Sequence, residues 1–224
     1  AWTPQRRLAV RPEIGAAASP LRPLISVVVP VFDTAPEHLL ALLDSLERQT
    51  LGGFEAVLAN DGSSRPDTLE ALRQAGLRPW TRIVDQPNRG PAAARNAGVL
   101  FARSDSVMLI DADDLLCPTA LEKLFWLQRS APEADFVYPG IRHFGEFELD
   151  RLDEFDAARL RIENYLACAA LMPRAFYLAL GGMDEALRNR CEDYDFWLEA
   201  AGRGARGRLL PETVFLYRHG EPPE

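Results

Sequence analysis

The chain has 224 residues, of which 47% are hydrophobic, and its formal net charge is -8. This length and apolar content suit one globular domain with a sizeable core. The negative charge and the scattered basic residues argue against a nucleic-acid partner, and no apolar run is long enough to span a bilayer. The three cysteines are odd in number and lack the spacing of a metal site, so we expect reduced thiols and a cytoplasmic location.

The first half of the chain alternates strands with helices. Residues 1–23 hold four prolines and no strand pattern, which indicates a linker or N-terminal arm before a domain at 24–219 and a tail at 220–224. Apolar strands are predicted at 24–29, 54–59 and 82–84, each followed by a helix, and a fourth strand ends at Ile110. This order with short connections predicts an α/β fold with a doubly wound parallel sheet.

The second half is less regular. Strands are expected at 136–138 and 214–217, with a further candidate at 144–149. A strand or buried segment at 166–172 precedes a short helix from Arg174 to Leu180, and another helix starts at Cys191 and ends near Gly202.

An acidic loop follows the fourth strand. Val107 to Ile110 are apolar and lead directly into Asp111, Asp113 and Asp114. Carboxylates this close repel one another unless something positive lies among them, and Mg²⁺ or Mn²⁺ bridging substrate phosphates is the simplest candidate. The alternative is a solvated acidic turn that caps the next helix, predicted at 118–130.

Other polar residues lie where parallel strands end. Asp33 and Asp61 follow the first two strands, and all strand C-terminal ends should lie at one edge of the sheet. Asp33, Asp61 and Asp111 are therefore predicted to surround one crevice. Asp61 suits a turn, or a hydrogen bond to a nucleobase or ribose, and both interpretations can hold. Arg95, on the first turn of a helix rich in small residues, could reach a diphosphate.

Two further candidates come late in the chain. Glu192 and Asp193 open a helix, where carboxylates favour the helix dipole, but one facing the crevice could also accept a proton from an attacking hydroxyl. His219 follows the last strand and is either a surface histidine or, if Asp113 is close, a second metal ligand.

Six motifs together resemble those of the family-2 inverting glycosyltransferases, which have the GT-A fold. The resemblance covers about Leu24 to His219 and is carried by motifs in the same order and spacing. They are Pro30-Val31-Phe32-Asp33, Asn60-Asp61-Gly62-Ser63-Ser64, Asn88-Arg89-Gly90 to Arg95-Asn96-Ala97-Gly98, Asp111-Ala112-Asp113-Asp114, Gly181-Gly182-Met183-Asp184-Glu185 and Glu192-Asp193-Tyr194-Asp195-Phe196-Trp197. The implied architecture is Rossmann-like, with a mixed, mainly parallel sheet flanked by helices.

The resemblance also implies roles for individual residues. It implies a nucleotide-sugar donor, UDP-linked in the commonest case, and Mn²⁺ or Mg²⁺ as cofactor. The residues implied to bind the donor are Pro30, Val31, Asp33, Asp61, Arg95, Asp111 and Ala112. Asp113 would bind the metal, with His219 where some members place a metal-linked histidine. Asp193 is similar to the catalytic base, with Glu192 supporting it. Asp33 stands where the family often has Asn.

The acceptor is less defined. A glycan, lipid-linked or protein hydroxyl is expected to enter from residues 164–184, with Tyr165, Met172 or Trp197 stacking on a sugar. A role in cell-envelope polysaccharide synthesis, with peripheral contact at the inner face of the membrane, fits these acceptors. Two alternatives are a nucleotidyltransferase, which would need a Gly-rich basic loop after the first strand, and a non-catalytic nucleotide-sugar-binding domain of a larger assembly.

Overall fold

The computed structural model describes residues 22–187 and 191–220. Within them the chain forms one nine-stranded sheet with helices on both faces. Of the arm predicted at 1–23 and the tail predicted at 220–224, residues 1–21 and 221–224 lie outside the described residues. No helix in the described ranges has both the length and the apolar character of a bilayer span.

The first half consists of strand-helix units. Proline occupies the first turn of each of the first three helices, where its missing N–H costs nothing, so each helix starts soon after a strand ends. In chain order the elements are β1 (Ile25–Val31), α1 (Pro36–Glu47), β2 (Phe54–Asn60), α2 (Pro66–Ala75), β3 (Thr81–Asp85), α3 (Pro91–Phe101) and β4 (Ser106–Leu109).

The second half mixes short and very long elements. In chain order they are β5 (Leu115–Leu116), α4 (Ala120–Ser130), β6 (Phe136–Gly145), β7 (Leu149–Arg151), α5 (Ala157–Leu160), β8 (Leu171–Pro173), α6 (Arg174–Leu180), α7 (Glu192–Gly202) and β9 (Gly207–His219).

The sheet is parallel on one side and mixed on the other. Its main path runs β3-β2-β1-β4-β8-β6-β9-β5, with β7 beside β6. The first four strands are all parallel, whereas β8 is antiparallel to both β4 and β6. The mixed, mainly parallel architecture implied by the resemblance is confirmed.

Both faces of the sheet are covered. Alternate residues of β1 point to opposite faces, so that Val27 and Val29 pack with α1, α2 and α4, while Val28 packs with α3, α6 and α7. Such a strand has no solvent face, which is why its sequence is a continuous apolar run.

Several boundaries differ from the sequence predictions. The first three helices start at, or one residue before, their predicted starts at 36, 67 and 92, but the first ends at Glu47, short of the predicted end near Gly52. β1 continues through Pro30 to Val31. The predicted strand at 136–138 is the start of a ten-residue strand, and the candidate at 144–149 splits between the end of β6 and β7. Of the segment predicted at 166–172, only Leu171 and Met172 pair in a strand, which continues to Pro173. β9 has thirteen residues where four were expected.

Candidate active site

A cleft of ≈ 720 Å³ opens at the C-terminal ends of the parallel strands. Its walls are the loops after β1, β2, β3 and β4 and the first residue of α7. The chain leaves β1 towards β2 on one side, and β4 lies on the other. Such a switch point is where open α/β sheets bind ligands, and the volume is within the range of small-molecule sites.

Most of the residues singled out from the sequence line this cleft. They are Pro30, Val31, Asp61, Arg95, Asp111, Ala112, Asp113 and Glu192. Asp33, Asp193 and His219 are not among the lining residues. Motifs spread over more than 160 positions of sequence are thus brought to one edge of the sheet.

Arg95 is the central cation of the cleft. It is only 5% exposed, and its two terminal nitrogens donate to Asp111 (2.5 Å) and to Glu192 (2.8 Å). Burying a guanidinium is tolerated here because two carboxylates surround it. Its Nε has no hydrogen-bond partner within the described residues. Arg95 therefore joins the acidic loop to the start of α7 and keeps one buried donor unused.

Asp61 is a buried acceptor that already organises the next loop. Its Oδ1 accepts from Gln86 Nε2 (2.6 Å) and the Arg89 amide (2.9 Å), and its Oδ2 accepts from the Gly90 amide (2.8 Å). A carboxylate has about four lone-pair directions, so Oδ2 retains capacity for a ligand N–H or O–H. The turn and ligand-binding interpretations of Asp61 are therefore compatible.

The acidic loop concentrates negative charge beside the cleft. Burial and the neighbouring Asp111 raise the pKa of Asp113, and burial, Asp111 and Asp113 raise the pKa of Asp114 well above its ordinary value. Asp114 Oδ1 accepts from the Arg218 amide (2.9 Å), while its buried Oδ2 has no partner in the described part of the chain. Asp113 lines the cleft and has carboxylate chemistry suited to a hard cation.

Asp33 has different contacts from those expected. It adopts a left-handed backbone conformation (φ 47°), and its Oδ1 accepts from the amides of Ser64 (2.7 Å) and Arg65 (2.9 Å). These hydrogen bonds lower its pKa and tie the loop after β1 to the start of α2. This carboxylate holds two loops together, and its contact with a base stays a prediction.

Asp193 follows Glu192 on α7, is partly exposed and is not among the residues that line the cleft. Its pKa is raised by burial, with further contributions from Glu192 and Asp111, while the Tyr194 amide and Arg95 act in the opposite direction. A carboxylate with a raised pKa is a better proton acceptor near neutrality than an ordinary surface aspartate. Asp193 is thus electrostatically part of the cleft without lining it.

His219 is engaged by another imidazole. Its Nε2 lies 2.7 Å from Nδ1 of His143, a hydrogen bond between two rings. In residues 22–187 and 191–220, no group of three or more His, Cys, Asp or Glu side chains is arranged to hold a metal ion. Pairing of His219 with Asp113 as metal ligands therefore stays a prediction.

Comparison with known proteins decides the family. Residues 26–177 match the sequence model described as glycosyl transferase family 2. The chain belongs to this family. As a glycosyl transferase family 2 protein, it is a glycosyltransferase with the GT-A fold that the resemblance implied.

Two uncharacterized glycosyltransferases match most of this family 2 chain. It is 28% identical over 213 residues to an uncharacterized glycosyltransferase of Haemophilus influenzae, covering 89% of this chain and 66% of the relative. It is 30% identical over 210 residues to the uncharacterized glycosyltransferase YwdF of Bacillus subtilis, covering 86% of this chain and 73% of the relative.

Solved structures agree in fold. S. aureus TarS 1-349 in complex with UDP-GlcNAc superposes with a TM-score of 0.76 at 20% identity, covering 89% of this chain and 59% of TarS. The chain therefore spans about three fifths to two thirds of the length of the TarS fragment and of the Haemophilus relative.

The two halves of this family 2 domain are joined through Asn96. Its amide oxygen accepts from the Met183 amide (2.9 Å) and the Tyr177 hydroxyl (2.6 Å), and its nitrogen donates to the Met183 carbonyl (2.9 Å) and Glu185 (3.2 Å). Gly182 has φ 74°, and a Cβ there would lie 2.5 Å from the Asn96 oxygen. Asn96 was quoted only as part of a motif, and sequence reasoning missed its role because its partners are some 85 residues away.

The proposed stacking residues are not available. Tyr165, Met172 and Trp197 are all buried, with Trp197 only 1% exposed, and each packs inside the core on the α3, α6 and α7 face of the sheet. The expectation that one of them stacks on a sugar is wrong, because these large side chains are needed to cover a family 2 sheet that has helices on both faces.

Sequence reasoning also missed three residues that line the cleft. Phe32 is a half-exposed aromatic side chain in the loop after β1, and His38 and Asn88 line the same cleft. An aromatic residue at a parallel strand end was a usable signal for Phe32. His38, inside an amphipathic helix, carried no comparable signal.

Proposed function

We propose that the domain transfers a sugar from a nucleotide-sugar donor, with UDP as the nucleotide, to an acceptor hydroxyl by a single inverting displacement assisted by Mn²⁺ or Mg²⁺. The observation that carries the proposal is the cleft in which Asp61, Arg95, Asp111 and Asp113 meet at the parallel strand ends. The UDP and UDP-GlcNAc complexes of TarS, a structure with the same fold, support this donor class.

Each wall of the cleft has a proposed part in donor binding. Pro30 and Val31 face the base from the end of β1, and Asp61 uses its remaining lone pair for the base or the ribose. Arg95 faces the diphosphate, for which its unpaired Nε is a buried donor, and it orients Asp111 towards the ribose. Ala112 lines the cleft between the two acids and leaves room for the ligand.

The residues present fit a divalent cation. Mg²⁺ and Mn²⁺ need only one or two protein carboxylates when substrate phosphates and water complete the coordination. Asp113 lines the cleft, and its burial beside Asp111 raises its pKa because the charged carboxylate is destabilised there. A nearby cation would stabilise that charged form. His219 could contribute only through Nδ1, with His143 holding the other nitrogen. When bound, the cation would neutralise charge developing on the leaving diphosphate.

Asp193 is the proposed general base. Its raised pKa suits removal of a proton from the acceptor hydroxyl, whose oxygen then attacks the anomeric carbon opposite the leaving diphosphate. Glu192 supports it by pairing with Arg95, which fixes the start of α7.

Donor hydrolysis and calorimetry test the proposal. A panel of nucleotide-sugars with Mn²⁺ should show slow hydrolysis of at least one UDP-sugar, and UDP titrations should show Mn²⁺-dependent binding. We expect Asp113→Ala to remove the Mn²⁺-dependent part of UDP affinity. Asp105→Ala is the matched control, because Asp105 is an exposed aspartate whose ion-pair partner, Arg22, is distant from it in sequence. Unchanged UDP affinity with Mn²⁺ in Asp113→Ala would contradict the assignment.

A further inference from the structure

Four aromatic rings lie together where β6 and β9 end. Phe147 contacts His219 (ring centroids 4.4 Å apart) and stacks with His143 (5.9 Å). Tyr217 lies 4.9 Å from His219 and 5.5 Å from His143. We call Phe147, His143, Tyr217 and His219 the ring cluster. Its outermost member, Phe147, is 46% exposed, so a phenyl ring faces solvent on top of three half-buried rings.

The backbone holds the ring cluster in place. Gly145 has φ 106°, and a Cβ there would lie 2.3 Å from the His219 carbonyl oxygen, so the turn between β6 and β7 approaches the end of β9 closely. The Glu146 amide donates to that same carbonyl (2.8 Å), and His143 and His219 are hydrogen-bonded through their rings. Phe147 is therefore fixed over His219, and little ordering would be needed when a ligand binds it.

The ring cluster continues from the candidate active site. Arg218 lies between Tyr217 and His219 in sequence, and its amide donates to Asp114 while its Nε donates to the Asp113 carbonyl (both 2.9 Å). Burial and the acidic loop raise the pKa of Tyr217 to about 12. The end of β9 is thus bound directly to the loop whose Asp113 lines the donor cleft.

The chemistry around Phe147 suits a sugar ring. Carbohydrate rings present apolar C–H faces and a rim of hydroxyls, and small-molecule sites typically pair aromatic walls with a few polar groups. Phe147 offers the aromatic face, and its sequence neighbours Glu146 and Glu148 are both exposed carboxylates. Asp150 is paired with Arg142, so Glu146 and Glu148 are the acidic groups that would accept the sugar hydroxyls and disfavour an anionic ligand.

We propose that the ring cluster is the acceptor subsite and binds a neutral pyranose ring, stacked on Phe147, with its hydroxyls on Glu146 and Glu148. This rests on the proposed transfer to an acceptor and narrows it from any hydroxyl to a neutral glycan. It replaces Tyr165, Met172 and Trp197, whose burial removes them from any stacking role.

Binding of simple glycosides tests the subsite. Methyl pyranosides of neutral sugars, and methyl glucuronoside as the anionic comparison, would be titrated by NMR into the UDP-bound protein. We expect at least one neutral pyranoside to bind and methyl glucuronoside to bind more weakly. Phe147→Ala should weaken pyranoside binding about tenfold, as truncation of a central contact does. Because Phe147 packs on His219, UDP affinity is measured on the same variant, and it should fall by less than pyranoside affinity does. Phe147→Tyr should restore binding, and Trp126→Ala, which removes a 61% exposed aromatic on α4, should have no effect.

The outcomes are separable from those of the donor experiments. Failure of the wild-type protein to bind UDP would count against the proposed function itself. Intact UDP binding with no pyranoside binding to the wild-type protein would overturn the subsite. Equal pyranoside binding by wild type and Phe147→Ala, or Phe147-dependent binding of a serine peptide in place of pyranosides, would overturn it as well.

Discussion

The two halves of the domain position polar groups at an edge of the sheet in different ways. In the first half, parallel strands end in short loops, and the carboxylates of Asp61 and Asp33 accept hydrogen bonds from backbone amides of neighbouring loops. In the second half, β6 and β9 are long, and their pairing includes register shifts around Gly140. The first half supplies most of the cleft, and the second half contributes the start of α7 to it and binds the acidic loop through Arg218 of β9. A few side chains of α3 and the preceding loop join the halves.

The largest effect is expected from breaking that joint at Arg95. Arg95→Met leaves the buried Glu192 and the partly exposed Asp111 close together without their cation, which we expect to cost about 3 kcal/mol of unfolding free energy, the lower end of the cost of breaking a buried pair. Urea unfolding measures this. Arg73→Met is the control, because Arg73 pairs with Glu70 on an exposed helix face and its loss should leave the midpoint unchanged. Equal midpoints for both variants would mean that Arg95 does not join the halves.

Sequence reasoning located the first half well because its information is local. A buried parallel strand is an apolar run, a following proline begins a helix, and strand ends share an edge, so Asp33, Asp61 and Asp111 could be predicted at one crevice before any coordinates. Asp61 and Asp111 line the cleft, whereas Asp33 does not. The family match, at residues 26–177, likewise covers this half and stops before α7 and β9.

The second half could not be predicted in the same way. The partner of Val137 in β9 is Arg208, about 70 residues later, and no local pattern records such pairing. Likewise, Trp197 was mistaken for a sugar-stacking residue because an aromatic residue in an amphipathic helix has the same pattern whether it faces a ligand or the core.

A smaller effect, confined to catalysis, is expected at Asp193. Asp193→Asn should lower turnover roughly 100-fold or more while UDP affinity stays nearly intact, because the amide cannot accept the proton. Asp195→Asn, an exposed residue on the same turn of α7, should retain activity. Full turnover in Asp193→Asn would remove Asp193 from the mechanism.

The pH dependence of turnover gives the same residue a second test. A general base acts only when deprotonated, so turnover should fall as the pH drops through the pKa of Asp193. Since burial raises that pKa, the decline should begin at higher pH than for an ordinary aspartate, for which the pKa is about 3.9. The residual activity of Asp193→Asn should lack this decline. If turnover declines identically at low pH in wild type and Asp193→Asn, the decline belongs to another titrating group.

An intermediate effect on both stability and activity is expected at Gly182. Gly182→Ala introduces a Cβ 2.5 Å from the Asn96 oxygen at a left-handed backbone position, at a cost of about 1–3 kcal/mol. Because the shifted loop leads towards α7, turnover should fall while UDP affinity is retained. Gly202→Ala, where no atom lies within 4 Å, is the control and should unfold at the wild-type denaturant concentration. If Gly182→Ala lost as much UDP affinity as turnover, donor binding would depend on this joint between the halves as much as turnover does.

The smallest effect is expected at Asp33, within the first half alone. Asp33→Ala removes the acceptor for the Ser64 and Arg65 amides, so we expect a small decrease in the thermal midpoint and little change in UDP affinity. The pKa of Asp33 is lowered in the folded protein by those amides, so its stabilising contribution is present above the unfolded pKa of about 3.9 and is lost as the pH falls through the folded value. The difference in midpoint between wild type and variant should therefore shrink at acidic pH. A large loss of UDP affinity with an unchanged midpoint would instead restore the base-contact role that the sequence suggested, and would mean that the loop opens when the donor binds.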